Sequence, residues 1–308
     1  MYSVKAILGR TKEILAGIFF HSKKISRLKI EEKKTTLNNI SLVLIIRNEA
    51  KYIQEWIEYH KLIGVDHFYI YDNESTDDLH EILKKYIEEG IVSYIYIPGQ
   101  CMQLPAYNDA IARFKELNTW MGFIDSDEFI VLSPSQKSLR SFLNDYYEEK
   151  ALGINWIIFD SNNHDFSPKQ GFVIENFTQA YFNDNHPINR HIKVFVRPSY
   201  VKYFASPHFC ILKNHEKIVD ENHQPIQIPF SKRNSTSKIR INHYFSKSKQ
   251  ELITKIERGL ADKKEKRVLL KSLYDFSNEG VKKTDIDLSL YAEKLRKIIP
   301  ETYNQEKQ

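Results

Sequence analysis

The amino-acid sequence predicts an α/β protein in which a mostly parallel sheet is flanked by helices. Apolar runs of strand length occupy residues 40–46, 67–71 and 91–97, and the segments between them have helical periodicity. The first run is apolar at every position except Ser41, which is typical of a strand buried on both faces of a parallel sheet. Strands and helices alternate in units of about 25–30 residues, as expected for this class.

The individual elements follow in order along the chain. Gly64 and Gly90 would end the first two helices, because glycine readily adopts the left-handed conformation found after helix ends. The predicted helices cover residues 52–62, 79–89, 107–117, 139–147, 249–272 and 286–299. Further strands are predicted at 121–124, 154–159, 172–174 and 192–198. Residues 155–245 are rich in histidine, asparagine, proline and aromatic residues, which favours a loop-rich half.

Composition and charge fit a globular protein. The chain has 308 residues, of which 42% are hydrophobic and 28% charged, enough to build a substantial core. A formal charge of +5 is too small an excess to indicate nucleic-acid binding. Cys101 and Cys210 show no C-x-x-C spacing, which favours a reducing compartment. We therefore expect a cytoplasmic protein.

Residues 1–38 differ from the rest and form a basic amphipathic N-terminal segment. Apolar residues recur at helical spacing over residues 4–18, and lysines and arginines follow. The apolar run at 14–20 is too short to span a bilayer, and no small-residue cleavage site follows it. Peripheral contact with the inner face of a membrane and packing on the domain both remain open.

Polar side chains follow three of the predicted strands. These are Arg47, Asn48 and Glu49, then Asp72 and Asn73, then Asp125 and Asp127. Ligands of open α/β sheets bind outside the carboxyl ends of the strands, so we expect these side chains to meet at one edge. The chain contains no G-x-G-x-x-G and no G-K-[ST] sequence, which argues against a dinucleotide dehydrogenase and a P-loop NTPase.

Three carboxylates stand within four positions at Asp125, Asp127 and Glu128. Crowded carboxylates repel each other, and a divalent cation is the simplest compensation because hard cations take oxygen ligands. Asp125 and Asp127 are two residues apart and can face one side of an extended strand end. A solvated acidic turn would show the same pattern, so the residues alone leave a metal and diphosphate site and a plain turn both open.

The order of the motifs resembles that of glycosyltransferase family 92 and its bacterial relatives, over roughly residues 40–300. The resemblance rests on Arg47-Asn48-Glu49-Ala50, on residues 55–60 and 64–73, on Phe123-Ile124-Asp125-Ser126-Asp127-Glu128-Phe129, on Trp156-Ile157-Ile158-Phe159 with Ser161 and His164, and on Ile241-Asn242-His243-Tyr244 with Lys247-Ser248 and Arg258-Gly259. Asp160 departs from the pattern, because relatives tend to carry glycine there.

The resemblance implies a GT-A fold, which is Rossmann-like, and inverting transfer of a sugar from a nucleotide sugar, expected to be a UDP-sugar, with Mn²⁺ or Mg²⁺. The nucleotide sugar would be bound by Arg47, Asn48, Glu49, Asp72, Asn73, Asp125, Trp156 and Lys247. The metal ligands would be Asp125, Asp127 and His243. Candidates for the base that takes the acceptor proton are Asp160, Asp184 and His208.

We therefore expect a GT-A domain at 39–246 and a C-terminal helical extension, 247–308, packed on it. The expected partners are a nucleotide-sugar donor and a glycan or glycolipid acceptor, plausible in bacterial surface polysaccharide or lipooligosaccharide synthesis, and no nucleic acid. Two alternatives remain. A sugar-nucleotide nucleotidyltransferase also uses paired aspartates and a metal, although it would normally carry a glycine-rich signature near the first strand. A non-catalytic membrane-associated binding protein could keep the same fold.

Overall fold

The computed structural model describes residues 30–31, 38–181, 187–258, 281–283 and 286–299, and its architecture confirms the α/β class. The helices are α1 (Ala50–Ile63), α2 (Leu79–Glu88), α3 (Gln103–Phe114), α4 (Leu139–Asn144), α5 (Val173–Asn176), α6 (Lys249–Arg258) and α7 (Ser289–Ile298). The strands of the main sheet are β1 (Ile30–Glu31), β2 (Asn38–Ile46), β3 (His67–Asp72), β4 (Val92–Tyr96), β5 (Asn118–Phe123), β6 (Glu128–Leu132), β7 (Ala151–Ile158), β9 (Ile192–Val196), β12 (Ile218–Val219), β13 (Pro225–Ile226) and β14 (Ile239–His243). Smaller pairs are formed by β8 (Gln179–Tyr181) with β15 (Val281–Lys283), and by β10 (Val201–Ser206) with β11 (Phe209–Leu212).

The main sheet has the order β1-β4-β3-β2-β5-β9-β7-β12-β13. Its centre is parallel, since β2 pairs in parallel with β3 and β5, and β3 with β4. β9 then runs antiparallel between β5 and β7. β14 lies beside β7 in parallel and beside β6 in antiparallel register, which brings His243 opposite Glu128 and next to Ile158.

The central strand β2 is buried on both faces, as its apolar run predicts. Leu42 and Leu44 belong to the core that lies under α1 and α2, whereas Val43 belongs to the core under α3. α1 also holds β6 directly: Trp56 Nε1 donates to the Glu128 carbonyl at 2.8 Å, and the Tyr59 hydroxyl donates to the Ile130 carbonyl at 2.9 Å. The start of β6, and with it the acidic motif, is therefore fixed to the core.

The predicted strand at 172–174 is wrong, because the structure places the short helix α5 there. The buried carboxylate of Glu55 accepts the amides of Val173 at 2.9 Å and Ile174 at 3.2 Å. The Glu175 side chain accepts the amide of Phe172 at 3.1 Å. These carboxylates satisfy amides at the start of a helical turn, so an apolar triplet that looks like a strand forms a helix instead.

The two ends of the chain are described only in part. Most of the predicted N-terminal segment 1–38 lies outside the described residues, as does the predicted helix beyond Arg258. α7 packs on α1, where the rings of Tyr291 and Tyr59 are 5.2 Å apart. Within the described ranges, no helix combines the length and the apolar character needed to cross a membrane.

Candidate functional site

The loops after β2 and β3 are tied together at the carboxyl edge of the sheet. Asn48 has a positive φ of 54°. Its side-chain oxygen accepts the Thr76 amide at 2.7 Å, and its own amide donates to Ser75 Oγ at 3.0 Å. The convergence of these two predicted clusters is thus present, and the Asn48 amide oxygen is part of the scaffold that produces it.

Asp72 and Asn73 lie at the same edge, but the structure gives their side chains protein partners. Asp72 is 3% exposed and accepts the Tyr94 hydroxyl at 2.6 Å and the Ser75 amide at 2.9 Å. Asn73 Nδ2 donates to the carbonyls of Ile97 and Gly99 at 2.8 and 2.9 Å. These two side chains shape the edge, and a ligand there would meet mainly the surfaces that they hold in place.

The first aspartate of the motif, Asp125, contacts a buried lysine. Its carboxylate accepts Gln103 Nε2 at 3.0 Å and Lys193 Nζ at 2.8 Å. Lys193 comes from β9, and its side chain is 0% exposed, whereas that of Asp125 is 33% exposed. The carboxylate of Asp125 is therefore accessible from solvent on one side and held by an ammonium group on the other.

Lys193 also pairs with Glu128, whose side chain is fully buried, at 3.4 Å. Glu128 Oε2 accepts the Asp125 amide at 2.9 Å, so the two residues brace the turn between β5 and β6. Burial raises the pKa of Glu128 to about 8, although Lys193 acts in the opposite direction. Burial alone would lower the pKa of Lys193, but the carboxylates of Asp125 and Glu128 raise it.

The second aspartate, Asp127, lies against different groups. Its carboxylate accepts the ammonium group of Lys255 from α6, and its Oδ2 is 3.6 Å from His243 Nε2. Burial alone would raise the pKa of Asp127, but Lys255, His243 and Lys247 together hold it well below its usual value. Asp127 is therefore anionic at neutral pH.

His243 stands between two carboxylates at the end of β14. Its Nδ1 is 3.8 Å from Glu128 Oε1, and neither of these buried atoms has a hydrogen-bond partner among the described residues. Burial lowers the pKa of His243, against the attraction of Asp127, so the ring favours its neutral form. A neutral imidazole whose Nε2 faces a carboxylate is a suitable ligand for a divalent cation.

The predicted metal set is brought together only in part. Asp127 and His243 lie side by side, whereas Asp125 is turned towards Lys193. Across the described ranges, no three His, Cys, Asp or Glu side chains are grouped closely enough to hold a metal ion. The donor types nevertheless fit Mn²⁺ or Mg²⁺, and the unpartnered Nδ1 of His243 and Oε1 of Glu128 are what a metal-bound histidine oriented by a carboxylate requires.

A cavity of roughly 130 Å³ opens beside Asp127. Lys247 Nζ donates to Glu49 Oε2 at 2.7 Å and lies 3.8 Å from the centroid of the Tyr52 ring. The lining residues are Asn48, Glu49, Tyr52, Asp127, Phe245, Ser246, Lys247, Glu251, Thr254 and Lys255. The cavity thus combines two carboxylate–lysine pairs with aromatic walls. Arg47 is exposed beside this edge, next to Asn48 in the chain.

Trp156 is buried and offers little surface to a sugar. It is 7% exposed, and its Nε1 donates to the Ile188 carbonyl at 2.6 Å. Its ring packs 4.5 Å from that of His243 and 4.7 Å from that of His191. In this structure Trp156 orients the histidine of the site.

Two of the three base candidates have definite environments. His208 Nδ1 donates to the Ile192 carbonyl at 3.0 Å, and burial, Lys193 and His191 hold its pKa well below the usual value. Asp160 follows β7, is half-buried and accepts the Asn162 amide at 2.8 Å, and burial raises its pKa. The third candidate, Asp184, lies outside the described residues.

The prediction of the site overlooked two lysines. Lys193 contacts Asp125, and Lys255 contacts Asp127. Lys193 had a visible signal, since it is the lone charge inside the apolar run Ile192-Lys193-Val194-Phe195-Val196. A lysine in a strand buried on both faces needs a carboxylate partner. Lys255 had no comparable signal, because nothing in the sequence distinguishes it from the other lysines of the same amphipathic helix.

The family model and the curated relatives agree on one family. The model described as glycosyltransferase family 92 matches residues 44–266, most of the chain. A glycosyltransferase family 92 protein of Oryza sativa subsp. japonica is 31% identical over 118 residues, which cover 38% of this chain and 20% of that protein. A galactan beta-1,4-galactosyltransferase of Arabidopsis thaliana is 35% identical over 101 residues, covering 30% of this chain and 19% of the relative. The aligned part thus spans only about a fifth of these two relatives.

Solved structures show weaker likenesses. S. aureus TarS 1-349 in complex with UDP-GlcNAc aligns with a TM-score of 0.38 and 17% identity, covering 54% of this chain and 48% of that one. The mannosyltransferase PcManGT from Pyrobaculum calidifontis, in complex with GDP-Man and Mn2+, aligns with a TM-score of 0.29 and 14% identity, covering 46% and 42%.

Proposed function

The chain belongs to glycosyltransferase family 92, and on this premise we propose that it transfers a sugar from a nucleotide sugar, a UDP-sugar in our proposal, to a glycan acceptor with inversion. The observation that carries the proposal is the edge of the sheet itself. Asp127 and Lys247 line one cavity together with Asn48 and Glu49. His243 Nε2 lies 3.6 Å from the Asp127 carboxylate, and Asp125 precedes Asp127 by two residues. An anionic donor needs such a mixture of cationic and metal-ligating groups.

We assign the nucleoside of the donor to the edge formed by Arg47, Asn48, Asp72 and Asn73. Uracil and ribose need in-plane donors and acceptors, which the backbone groups of this edge and the exposed side chain of Arg47 can offer. The tie between Asn48 and Thr76 supports this assignment, because it holds two loops in one fixed arrangement. Lys247 lies close enough to the cavity to meet the diphosphate, if it exchanges Glu49 for phosphate oxygens.

Asp125, Asp127 and His243 would hold Mn²⁺ or Mg²⁺, which when bound would neutralise the charge that develops on the leaving diphosphate. Asp127 contributes an oxygen that is anionic at neutral pH, and His243 contributes Nε2. Asp125 would have to share its carboxylate between Lys193 and the cation, and its exposed side makes this geometrically feasible. Glu128 would orient the imidazole through Nδ1.

Between the two described base candidates we favour Asp160. A base must accept a proton from a hydroxyl group, and a raised pKa increases proton affinity whereas a lowered pKa decreases it. Burial raises the pKa of Asp160, while burial and the neighbouring Lys193 lower that of His208. His208 therefore suits a structural role beside Trp156, whose ring centroid is 5.2 Å away.

The remaining assignments follow the same proposal. Residues 39–246 would form the catalytic domain and residues 247–308 an extension that contributes Lys247 and Lys255 to the cavity. The acceptor would be a glycan or glycolipid that approaches from the loop-rich half. Residues 1–38 would bring the protein to the cytoplasmic face of a membrane.

The test is a donor screen by thermal shift with Mn²⁺, followed by donor hydrolysis in Asp127→Asn and Asp125→Asn. A true donor raises the melting temperature by mass action. Both substitutions should reduce turnover by about 100-fold or more, as expected when electrostatic stabilisation of a developing charge is lost. Asp165→Asn, on an exposed ion pair outside the cavity, is the matched control.

The alternatives predict different results. Unchanged turnover in both aspartate variants would rule out the metal assignment. Donor binding without turnover of any sugar nucleotide would favour a non-catalytic binding protein. Formation of a sugar nucleotide from a sugar phosphate and a nucleoside triphosphate would identify a nucleotidyltransferase.

A further inference from the structure

In the donor-free protein, the carboxylate of Asp127 is already paired with a positively charged group. Lys255 Nζ donates to Asp127 and to the Phe245 carbonyl at 3.2 Å, and it lies 4.1 Å from the centroid of the Phe245 ring. The Lys255 side chain is 16% exposed and that of Asp127 is 9% exposed. The pair therefore lies at the wall of the cavity and not inside the core.

A divalent cation that joins Asp127 is repelled by this ammonium group, because like charges at contact distance repel each other. Lys255 would have to leave and find another anion. The other two carboxylates of the cavity are engaged: Glu49 accepts from Lys247, and Glu251 accepts from Ser248 Oγ at 2.6 Å. The diphosphate of a bound donor is an anion that could receive Lys255.

We propose that Lys255 couples cation binding to donor binding: it neutralises Asp127 in the free protein and moves to the donor diphosphate when a divalent cation takes its place. The inference rests on the proposed function, since it requires Asp127 to be a metal ligand. Lys255 lines the cavity, and its ammonium group sits on a flexible four-carbon stem, so a change of side-chain rotamers can carry it to a diphosphate bound there.

The coupling has a measurable consequence. The cation binds weakly while it must displace Lys255 without compensation, and it binds more tightly when a diphosphate accepts the displaced charge. By thermodynamic linkage, the factor by which a nucleotide strengthens cation binding equals the factor by which the cation strengthens nucleotide binding. Removal of the Lys255 charge should reduce both factors together.

The experiment measures Mn²⁺ binding to the full chain by titration calorimetry, alone and in the presence of UDP or inorganic pyrophosphate. Lys255→Met keeps the apolar stem and removes the charge, and Lys255→Arg keeps a charge. Lys249→Met is the matched control, because Lys249 lies on the same helix but pairs with exposed Asp165. Thermal unfolding of each variant confirms that it is folded.

We expect Lys255→Met to bind Mn²⁺ more tightly than the wild type without a nucleotide, by roughly tenfold, within the usual range of coupling between sites. UDP and pyrophosphate should then strengthen Mn²⁺ binding less than in the wild type, while the Arg and Lys249 variants behave like the wild type. Equal Mn²⁺ affinity of Lys255→Met and wild type without a nucleotide, with the UDP effect intact, would overturn the inference and leave the proposed function standing. Absence of Mn²⁺ binding in all variants, with and without UDP, would overturn the metal assignment and the inference with it.

Discussion

Asp125 and Asp127 belong to one motif, yet each is neutralised by a different kind of lysine. Lys193 reaches Asp125 from strand β9 inside the sheet, with a side chain that is 0% exposed. Lys255 reaches Asp127 from the peripheral helix α6, at the wall of a cavity. The first lysine also pairs with fully buried Glu128, whereas the second lies over the Phe245 ring.

The difference separates a fixed charge from a replaceable one. Moving Lys193 would leave Glu128 and part of Asp125 uncompensated in a region of low dielectric constant, which is costly. Moving Lys255 leaves Asp127 beside His243 and an open cavity, where water or another cation can replace it. One half of the motif is therefore built for rigidity and the other for exchange.

The largest expected effect comes from breaking the fixed pair. At pH 9, above the pKa of Glu128, Lys193→Met should lower the free energy of unfolding by about 3–5 kcal/mol, because it leaves a buried carboxylate without its partner. Urea denaturation measures the loss. The double variant Lys193→Met/Glu128→Gln should recover part of it, since the uncompensated charge is then gone. If Lys193→Met lowered the free energy of unfolding less than Lys255→Met does, Lys193 would not be the fixed charge of the two.

The deficit of Lys193→Met should also depend on pH. The pKa of Glu128 is already raised to about 8, and loss of Lys193 raises it further. A raised carboxyl pKa favours the fold below the unfolded pKa, and this contribution is lost as the pH rises through the folded pKa. The deficit should therefore be larger near pH 9 than near pH 5, and a deficit that is independent of pH would contradict the charge argument.

A smaller effect is expected from Gly122→Ala on β5. An added Cβ would lie 2.3 Å from Phe195 Cζ on β9 and 2.7 Å from Leu42 Cδ2, so these two buried side chains would have to move. Overpacking of this kind costs about 1–3 kcal/mol. Because Lys193 stands on β9 and holds Asp125, the variant should weaken donor binding. The competition between Mn²⁺ and Lys255 for the Asp127 carboxylate should stay unchanged. Calorimetric titration with Mn²⁺ and UDP separates the two effects.

Removal of the replaceable charge should cost less still. Lys255→Met should lower the free energy of unfolding by about 1 kcal/mol, since the pair is near solvent and Asp127 keeps other neighbours. Addition of Mn²⁺ should raise the melting temperature of this variant more than that of the wild type. A loss as large as that of Lys193→Met would show that both lysines are structural.

The smallest effect is expected at the exposed pair of Lys249 and Asp165, whose Nζ–Oδ1 distance is 2.7 Å. Surface ion pairs contribute little because water screens them, so Lys249→Met should change the free energy of unfolding by no more than about 0.5 kcal/mol. Urea denaturation under the same conditions provides the baseline against which the buried pairs are judged.

The fold was largely predictable because hydrophobic periodicity reports burial directly. The apolar run at 40–46 became the doubly buried strand β2, and the polar residues after β2, β3 and β5 came to one edge. The triplet 172–174 was predicted wrongly because the amides of Val173 and Ile174 are satisfied by Glu55, which lies 118 residues away from Val173 in the chain. Local sequence carries no record of such a partner.

The site was predictable in its residue types and less so in its pairings. Asp127 and His243 were placed side by side by β14, whose register the sequence does not reveal. Lys255 contacts Asp127 across 128 residues of chain. Only Lys193 left a trace, as a single charge in an apolar strand, and charge burial is the signal that would have found it.

The engaged side chains of Asp72 and Asn73 bear on how the proposed donor preference could be redesigned. Both are consumed by hydrogen bonds that hold β3 to the end of β4 and to the following loop, so a mutant library at these positions would mostly yield damaged scaffolds. Exposed Arg47, next to them at the same edge, can vary without breaking these bonds. Directed evolution towards another nucleotide should therefore begin at Arg47 and leave the pair behind it intact.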